Sequence, residues 1–169
     1  MCKLKVADFY YGAFLSALLN TPGGRPSLFD ETSSRRIYRL ETNNNKECYF
    51  YTKYVTVKKN KSDNFYHWIF NFSEAETGKL NELYNLKHNV KLVLICVKAG
   101  FTGSELAIID YEDAIDCLGC EKGFNPPYRI NIKAYDKKHG LRMYGLGRSD
   151  KINGKDNTLL ISRNELIEL

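Results

Sequence analysis

Seven basic residues crowd the stretch from Lys133 to Lys155: Lys133, Lys137, Lys138, Arg142, Arg148, Lys151 and Lys155. Only Asp136 and Asp150 oppose them there, so this stretch carries +5, the entire net charge of the 169-residue chain. The rest of the chain holds 18 basic and 18 acidic groups and is neutral. Clustered ammonium and guanidinium groups displace counterions from phosphates, and Tyr135 and Tyr144 lie among them. Lys133, Lys137, Lys138, Arg142, Tyr144, Arg148 and Lys151 are therefore the candidate contacts for a nucleic acid or another polyanion. Lysines on phosphates give affinity without sequence selectivity. The competing reading is a solvated hairpin whose lysines keep a sheet edge from pairing.

Other residue groups suggest chemistry less strongly. Cys117 and Cys120 have the spacing of two thiolates on one tetrahedral ion. A structural zinc site needs two further ligands, and His88 and His139 belong to no second paired motif, so two unrelated thiols at a helix end are the simpler reading. A redox dithiol is weaker still, because the pair follows a helix instead of opening one. Asp110, Glu112, Asp113 and Asp116 cluster at a helix start, where exposed N–H groups favour acids without any ligand. Gly140, Gly145 and Gly147 do not make a phosphate loop, since Leu146 stands where that motif needs lysine. Gly145 and Gly147 fit a bulge or strand end instead. His67, between Tyr66 and Trp68, fits a packed sheet histidine.

These groups must be positioned by elements that the patterning indicates. Val6 to Leu19 has apolar residues at Val6, Phe9, Tyr10, Ala13, Phe14, Ala17 and Leu18, the spacing of an amphipathic helix, stopped by NTPGG at 20–24. Small Ala13 and Ala17 would let a neighbour approach. Arg25 to Ser34 reads as loop, and Ile37 to Glu41 as a short strand. Tyr49 to Val57 and Phe65 to Phe72 alternate as half-buried strands, the second with an all-aromatic face of Tyr66, Trp68, Phe70 and Phe72. That face suits a core under a helix opened by the capping box Ser73–Glu76, with Leu80, Leu83, Tyr84 and Leu86 inward. Tyr49 and Tyr51, beside Lys53, fit a surface for stacked bases better.

Val90 to Val97 is a nearly continuous apolar run, as in a strand covered on both faces. A strand at Leu106–Ile109 precedes a short helix, Tyr111 to Leu118, capped by Asp110. Strands Tyr128–Tyr135 and Leu141–Leu146 form a hairpin about the turn DKKHG. A loop over Ser149–Thr158, a strand at Leu159–Ile161 and a capping box at Ser162 and Glu165 close the chain. The expected class is α+β in one domain, 1–169: an N-terminal helix, three antiparallel strands, a helix and a buried central strand, then a further strand, short helix and C-terminal β-hairpin. This α-β-β-β-α-β order is similar in topology to the common core of restriction-endonuclease-like nucleases. Such a nuclease holds a metal with carboxylates beside a lysine on its third core strand. Phe65–Phe72 has no Asp, Glu or Lys, Tyr51 stands two before Lys53, and Asp136-Lys137-Lys138 falls in a turn.

Composition bounds the setting. Hydrophobic content of 43% and charged content of 27% are ordinary for a folded protein. The five cysteines are odd in number and form no secreted disulfide framework. The Val6–Leu19 stretch is too short to span a bilayer and has no cleavage-site pattern after it. A cytoplasmic location without membrane association is expected. Seventeen lysines and fifteen asparagines fit an A/T-rich coding genome, hence a bacterial or phage source. The sequence thus points to a non-catalytic macromolecule-binding protein, accessory or defence-related, without cofactor or metal. It would contact nucleic acid or a partner protein, with oligomerisation allowed. The alternatives are a divergent metal-dependent nuclease and a protein-interaction or oligomer subunit using aromatic surface.

Overall fold

The computed structural model describes residues 3–58, 64–86, 88–148 and 158–161. Its elements run α1 (Val6–Leu19), β1 (Gly24–Glu31), β2 (Arg36–Thr42), β3 (Glu47–Val57), β4 (Phe65–Phe72), α2 (Glu74–Asn85), β5 (Asn89–Lys98), β6 (Glu105–Asp110), α3 (Tyr111–Leu118), β7 (Tyr128–Tyr135), β8 (Leu141–Gly145) and β9 (Leu159–Ile161). The class is α+β, as the patterning indicates. The described strands form two sheets, β1-β2-β3-β5-β6 and β4-β7-β8-β9.

The first sheet is mixed: β3 and β5 are parallel, with Cys48 opposite Asn89, while its other pairs are antiparallel. Parallel neighbours need a crossover, because the chain must return to the starting end before the second strand begins. Here the return path is β4 followed by α2. The crossover strand β4 therefore leaves the first sheet and pairs antiparallel with β7, Phe65 opposite Tyr135 through Phe72 opposite Tyr128. The second sheet is antiparallel throughout.

Burial follows from this layering. On one face of the first sheet, Tyr10, Tyr11, Phe14 and Leu18 of α1 pack on Tyr38, Phe50, Val93 and Ile95. On the other face, Tyr51, Leu92 and Leu94 meet Trp68, Phe70 and Phe72 of β4, Ile130 and Ile132 of β7 and Met143 of β8. Leu80 and Leu83 of α2, with Ala114 and Leu118 of α3, complete that layer. Strand β5 lies between both cores, which is why its apolar run is nearly unbroken. Strand β4 shows its inner positions buried and its outer positions open, the signature of a sheet covered on one side. Burial of each inner ring contributes about 2–3 kcal/mol before ordering costs. Trp68 also donates its indole N–H to the Val97 carbonyl at 2.9 Å, joining the sheets.

Several local expectations are corrected. Residues 25–31 of the stretch expected as loop lie in the edge strand β1, held by β2 despite Pro26 and a bulge between Leu28 and Asp30. Pairing supplies what its composition lacks, and Pro and bulges are tolerated at an edge. Helix α1 buries Tyr10, Phe14 and Leu18 as the spacing indicates, with Tyr11 besides, but Val6 and Phe9 are 62% and 60% exposed, and Ala13 is exposed as well. An almost wholly apolar helix offers no unique inward face, so the partner sheet chooses it. Tyr84 and Leu86 are exposed, and Tyr84 instead stacks on Tyr111 at 3.8 Å. The Ser73–Glu76 capping box forms. Asp110 occupies the N-cap of α3 but makes no side-chain cap bond, its carboxylate being taken by Lys91. The Ser162–Glu165 box lies outside the described residues.

Candidate functional site

The outer face of the second sheet carries three of the seven sequence-predicted contacts, Lys133, Arg142 and Tyr144. Alternation sends Phe65, His67, Ile69 and Asn71 of β4 outward, together with Arg129, Asn131, Lys133 and Tyr135 of β7. Arg142 and Tyr144 of β8 complete the row. Register sets Phe65 opposite Tyr135, His67 opposite Lys133, and Lys133 opposite Arg142. The result is a mosaic of rings and cations across three adjacent strands.

Lys133 sits at its centre. Its Nζ lies 5.0 Å from the Phe65 ring centroid and 5.2 Å from that of Tyr144. Among the described residues its ammonium faces these two rings and no carboxylate. The rings also contact one another: Phe65 with Tyr135 at 5.4 Å, and His67 with Tyr144 at 6.2 Å and 23°. His67 Nε2 lies 3.0 Å from Asn131 Oδ1 and 3.3 Å from the Tyr144 hydroxyl. One ring nitrogen holds one proton, so protonated Nε2 donates to the asparagine, and unprotonated Nε2 accepts from the tyrosine. Arg129 Nε donates to Asn71 Oδ1 at 3.1 Å, fixing a further guanidinium on this face.

Beside the mosaic opens a cavity of about 560 Å³, lined by Lys133, Tyr135, Lys138, His139, Gly140, Arg142, Tyr144 and Thr158. Its size falls within the range of small-molecule sites, roughly 300–1,000 Å³. Two lysines, an arginine and a histidine line it, and among the described residues no carboxylate does. Asp136, in the turn between β7 and β8, is not among the lining residues. Positive φ at Lys137 (58°) and Gly140 (81°) shapes that turn. At Gly140 the need for glycine is steric as well, since a Cβ would press on Leu160 and the Ile161 carbonyl.

The predicted contacts do not all converge. Lys133, Lys138, Arg142 and Tyr144 line the cavity, and Lys137 belongs to the adjoining turn. Arg148 does not line it. Its side chain, 11% exposed, pairs with Asp116 at 2.5 Å and clamps the 3-10 turn Leu146–Arg148 against α3. Lys122 reinforces the clamp through Asp116 and the Gly147 carbonyl. Burial raises the Asp116 pKa, but the hydrogen bonds from Lys122 and Arg148 prevail and hold it below the ordinary carboxylate value. Lys151 lies outside the described residues. Conversely, Phe65, His67 and His139 are absent from the predicted set. The signal for them was available: Phe65 and His67 occupy the alternate positions to the buried Trp68 and Phe70, on a strand whose partner also alternates.

The residues read as a stacking surface are in the core. Tyr49, Tyr51 and Lys53 are all buried. Lys53 Nζ donates to the Asn71 carbonyl at 2.7 Å and to Glu76 at 2.6 Å, at the corner where β4 turns into α2. The Cys117 thiol is buried in the core and burial pushes its pKa up to about 12, while Cys120 is half-buried. Among the described residues no three of His, Cys, Asp and Glu come together as ligands for a metal ion. Strand β4, which the nuclease topology would make the third core strand, belongs to the other sheet. Among the described residues no helix is long and apolar enough to cross a membrane.

Comparison of the chain with protein-family models, with curated proteins and with solved structures gives no match.

Proposed function

We propose that this is a non-catalytic nucleic-acid-binding protein whose contact surface is the outer face of the second sheet and the turn at 136–140. One observation carries the reading: the described strands of that sheet contain no Asp or Glu, and the ammonium of Lys133 at the centre of its outer face lies against the Phe65 and Tyr144 rings. A protein cation matched to a carboxylate is already neutralised. One matched to a ring keeps its charge for a phosphate, since the ring attracts without cancelling it. A cytoplasmic setting and a bacterial or phage accessory role belong to this reading on composition alone.

The test is a salt titration. The purified chain should bind labelled DNA or RNA oligonucleotides, with log K falling against log salt at a slope of about −2 to −4, as three or four phosphate contacts would give. Affinity that ignores salt would remove the polyanion reading. A second reading, a protein-interaction subunit, has its own observation. Val6 and Phe9 on the outside of α1, and Phe101 nearby against Tyr10, form exposed apolar surface. A discrete oligomer in light scattering, without salt-dependent binding, would favour it.

A further inference from the structure

We propose that the strand recognised on this face is unpaired, with bases stacking on Phe65 and Tyr144 while Lys133 and Lys138 take the phosphates. The inference rests on the nucleic-acid reading above and narrows it to a substrate class.

The argument begins with what cations alone would do. A few lysines meet a duplex at least as well as a single strand, because the duplex has the higher charge density. They give no reason for rings. Here the ammonium of Lys133 lies between two rings, 5.0 Å from Phe65 and 5.2 Å from Tyr144. Both rings are on the outer face, half-buried, with their partner strand positions occupied by Tyr135 and Asn131. A nucleotide has the same two parts in the same proximity, a flat base and an adjacent negative charge. A base stacked on Phe65 or Tyr144 would take the ring face that the ammonium now covers, and the flexible lysine stem would carry the charge to the phosphate.

A duplex is unable to use this arrangement, because its bases are stacked on one another and show only their edges. The outer face of an antiparallel sheet offers its rings to splayed bases. Polar groups able to meet base edges stand between the rings: the Asn131 amide, 3.0 Å from His67, and the Tyr144 hydroxyl. The 560 Å³ cavity beside Tyr144 has room for a nucleotide unit, with Lys138 and His139 on its rim.

The experiment compares three probes on the full chain at fixed salt by fluorescence anisotropy: an unpaired oligonucleotide of about 12 nucleotides, as DNA and as RNA, its duplex, and heparin. The unpaired strand should bind roughly tenfold tighter than the duplex. Replacing both rings, Phe65→Leu with Tyr144→Leu, should cost roughly tenfold or more on the unpaired strand and leave heparin binding within about twofold. Tyr144→Phe, which keeps the ring, should retain most of the affinity and guards against a loss caused by misfolding. Equal or tighter duplex binding by the wild-type chain, or a double-leucine variant with unchanged single-strand affinity, would overturn the inference while leaving the polyanion reading intact. Failure to bind any of the probes would overturn both.

Discussion

The two sheets spend their charges differently. Strands of the first sheet carry six basic and six acidic residues, and five of the six bases are paired. Arg36 meets Asp8 and Glu31, Arg39 meets Glu41 and Glu47, Lys53 meets Glu76, Lys91 meets Asp110 and Lys98 meets Glu105. The second sheet has three bases in its strands and no acid. Its central lysine faces two rings. Both sheets are backed by the same core, so the contrast does not come from packing. Covered on both sides, the first sheet must neutralise each charge it keeps near the interior. The second sheet has one face in solvent, where an unneutralised cation costs little and remains available to a guest.

The comparison breaks first where the sheets join. Trp68→Ala removes a fully buried ring and the bond to Val97, and should cost about 4 kcal/mol in chemical denaturation. Both sheets should unfold together, since one core serves both. Loss of the second sheet alone would show that they are less coupled than the shared core implies.

Next comes the buried pair of the first sheet. Lys53 and Glu76 have side chains 9% and 13% exposed, so Glu76→Ala leaves a buried ammonium and should cost about 3 kcal/mol. Burial alone would raise the Glu76 pKa. The hydrogen bonds from Lys53 and the Ser73 backbone outweigh it and hold the carboxyl below its ordinary 4.5. A lowered folded value means that the contribution is complete above the unfolded value and drains away as pH falls through the folded one. Asp30, held low by Arg35, acts in the same direction. Acid unfolding of Glu76→Gln should therefore be less steep below about pH 4.5 than that of the wild type. An unchanged acid limb would show that the pair contributes nothing to the pH dependence.

A smaller effect is expected where α3 meets the second sheet. At Gly147 a Cβ would fall on the Asp116 carbonyl oxygen and on Gly119. Gly147→Ala should cost about 2 kcal/mol by forcing the 3-10 turn away from α3, measured by thermal unfolding. If the Arg148–Asp116 clamp is structural, this variant should leave polyanion affinity nearly unchanged at temperatures where it is folded.

Local patterning made much of this fold readable. Alternation placed β4 and its aromatic face, the unbroken run placed β5 between two layers, and the capping box fixed the start of α2. What local patterning lacks is partnership across long sequence separations. Nothing within Phe65–Phe72 says that the strand pairs with Tyr128–Tyr135 instead of β3. That one fact decides which residues share the outer face with Phe65 and His67. Edge strand β1 is invisible for a related reason, since its Pro26 and Gly24 are accepted only because β2 supplies the ladder. The basic segment was legible as charge, but only the fold separates Lys133, Lys138 and Arg142 at a cavity from Arg148 in a clamp. Tyr49 and Tyr51 were misplaced by the same gap, for rings beside a lysine look alike whether the lysine faces water or Glu76.

The difference between the sheets is tested most directly by matched charge reversals, with affinity for an unpaired oligonucleotide and thermal stability read on the same samples. Lys133→Glu with Lys138→Glu should leave stability within about 0.5 kcal/mol and lower affinity at least tenfold. Lys91→Glu, which breaks the exposed pair with Asp110, should retain affinity within a few-fold and lose about 1 kcal/mol of stability or less. Affinity that survives the first pair of reversals, or falls equally with the second, would mean that the ring-flanked cations serve no polyanion.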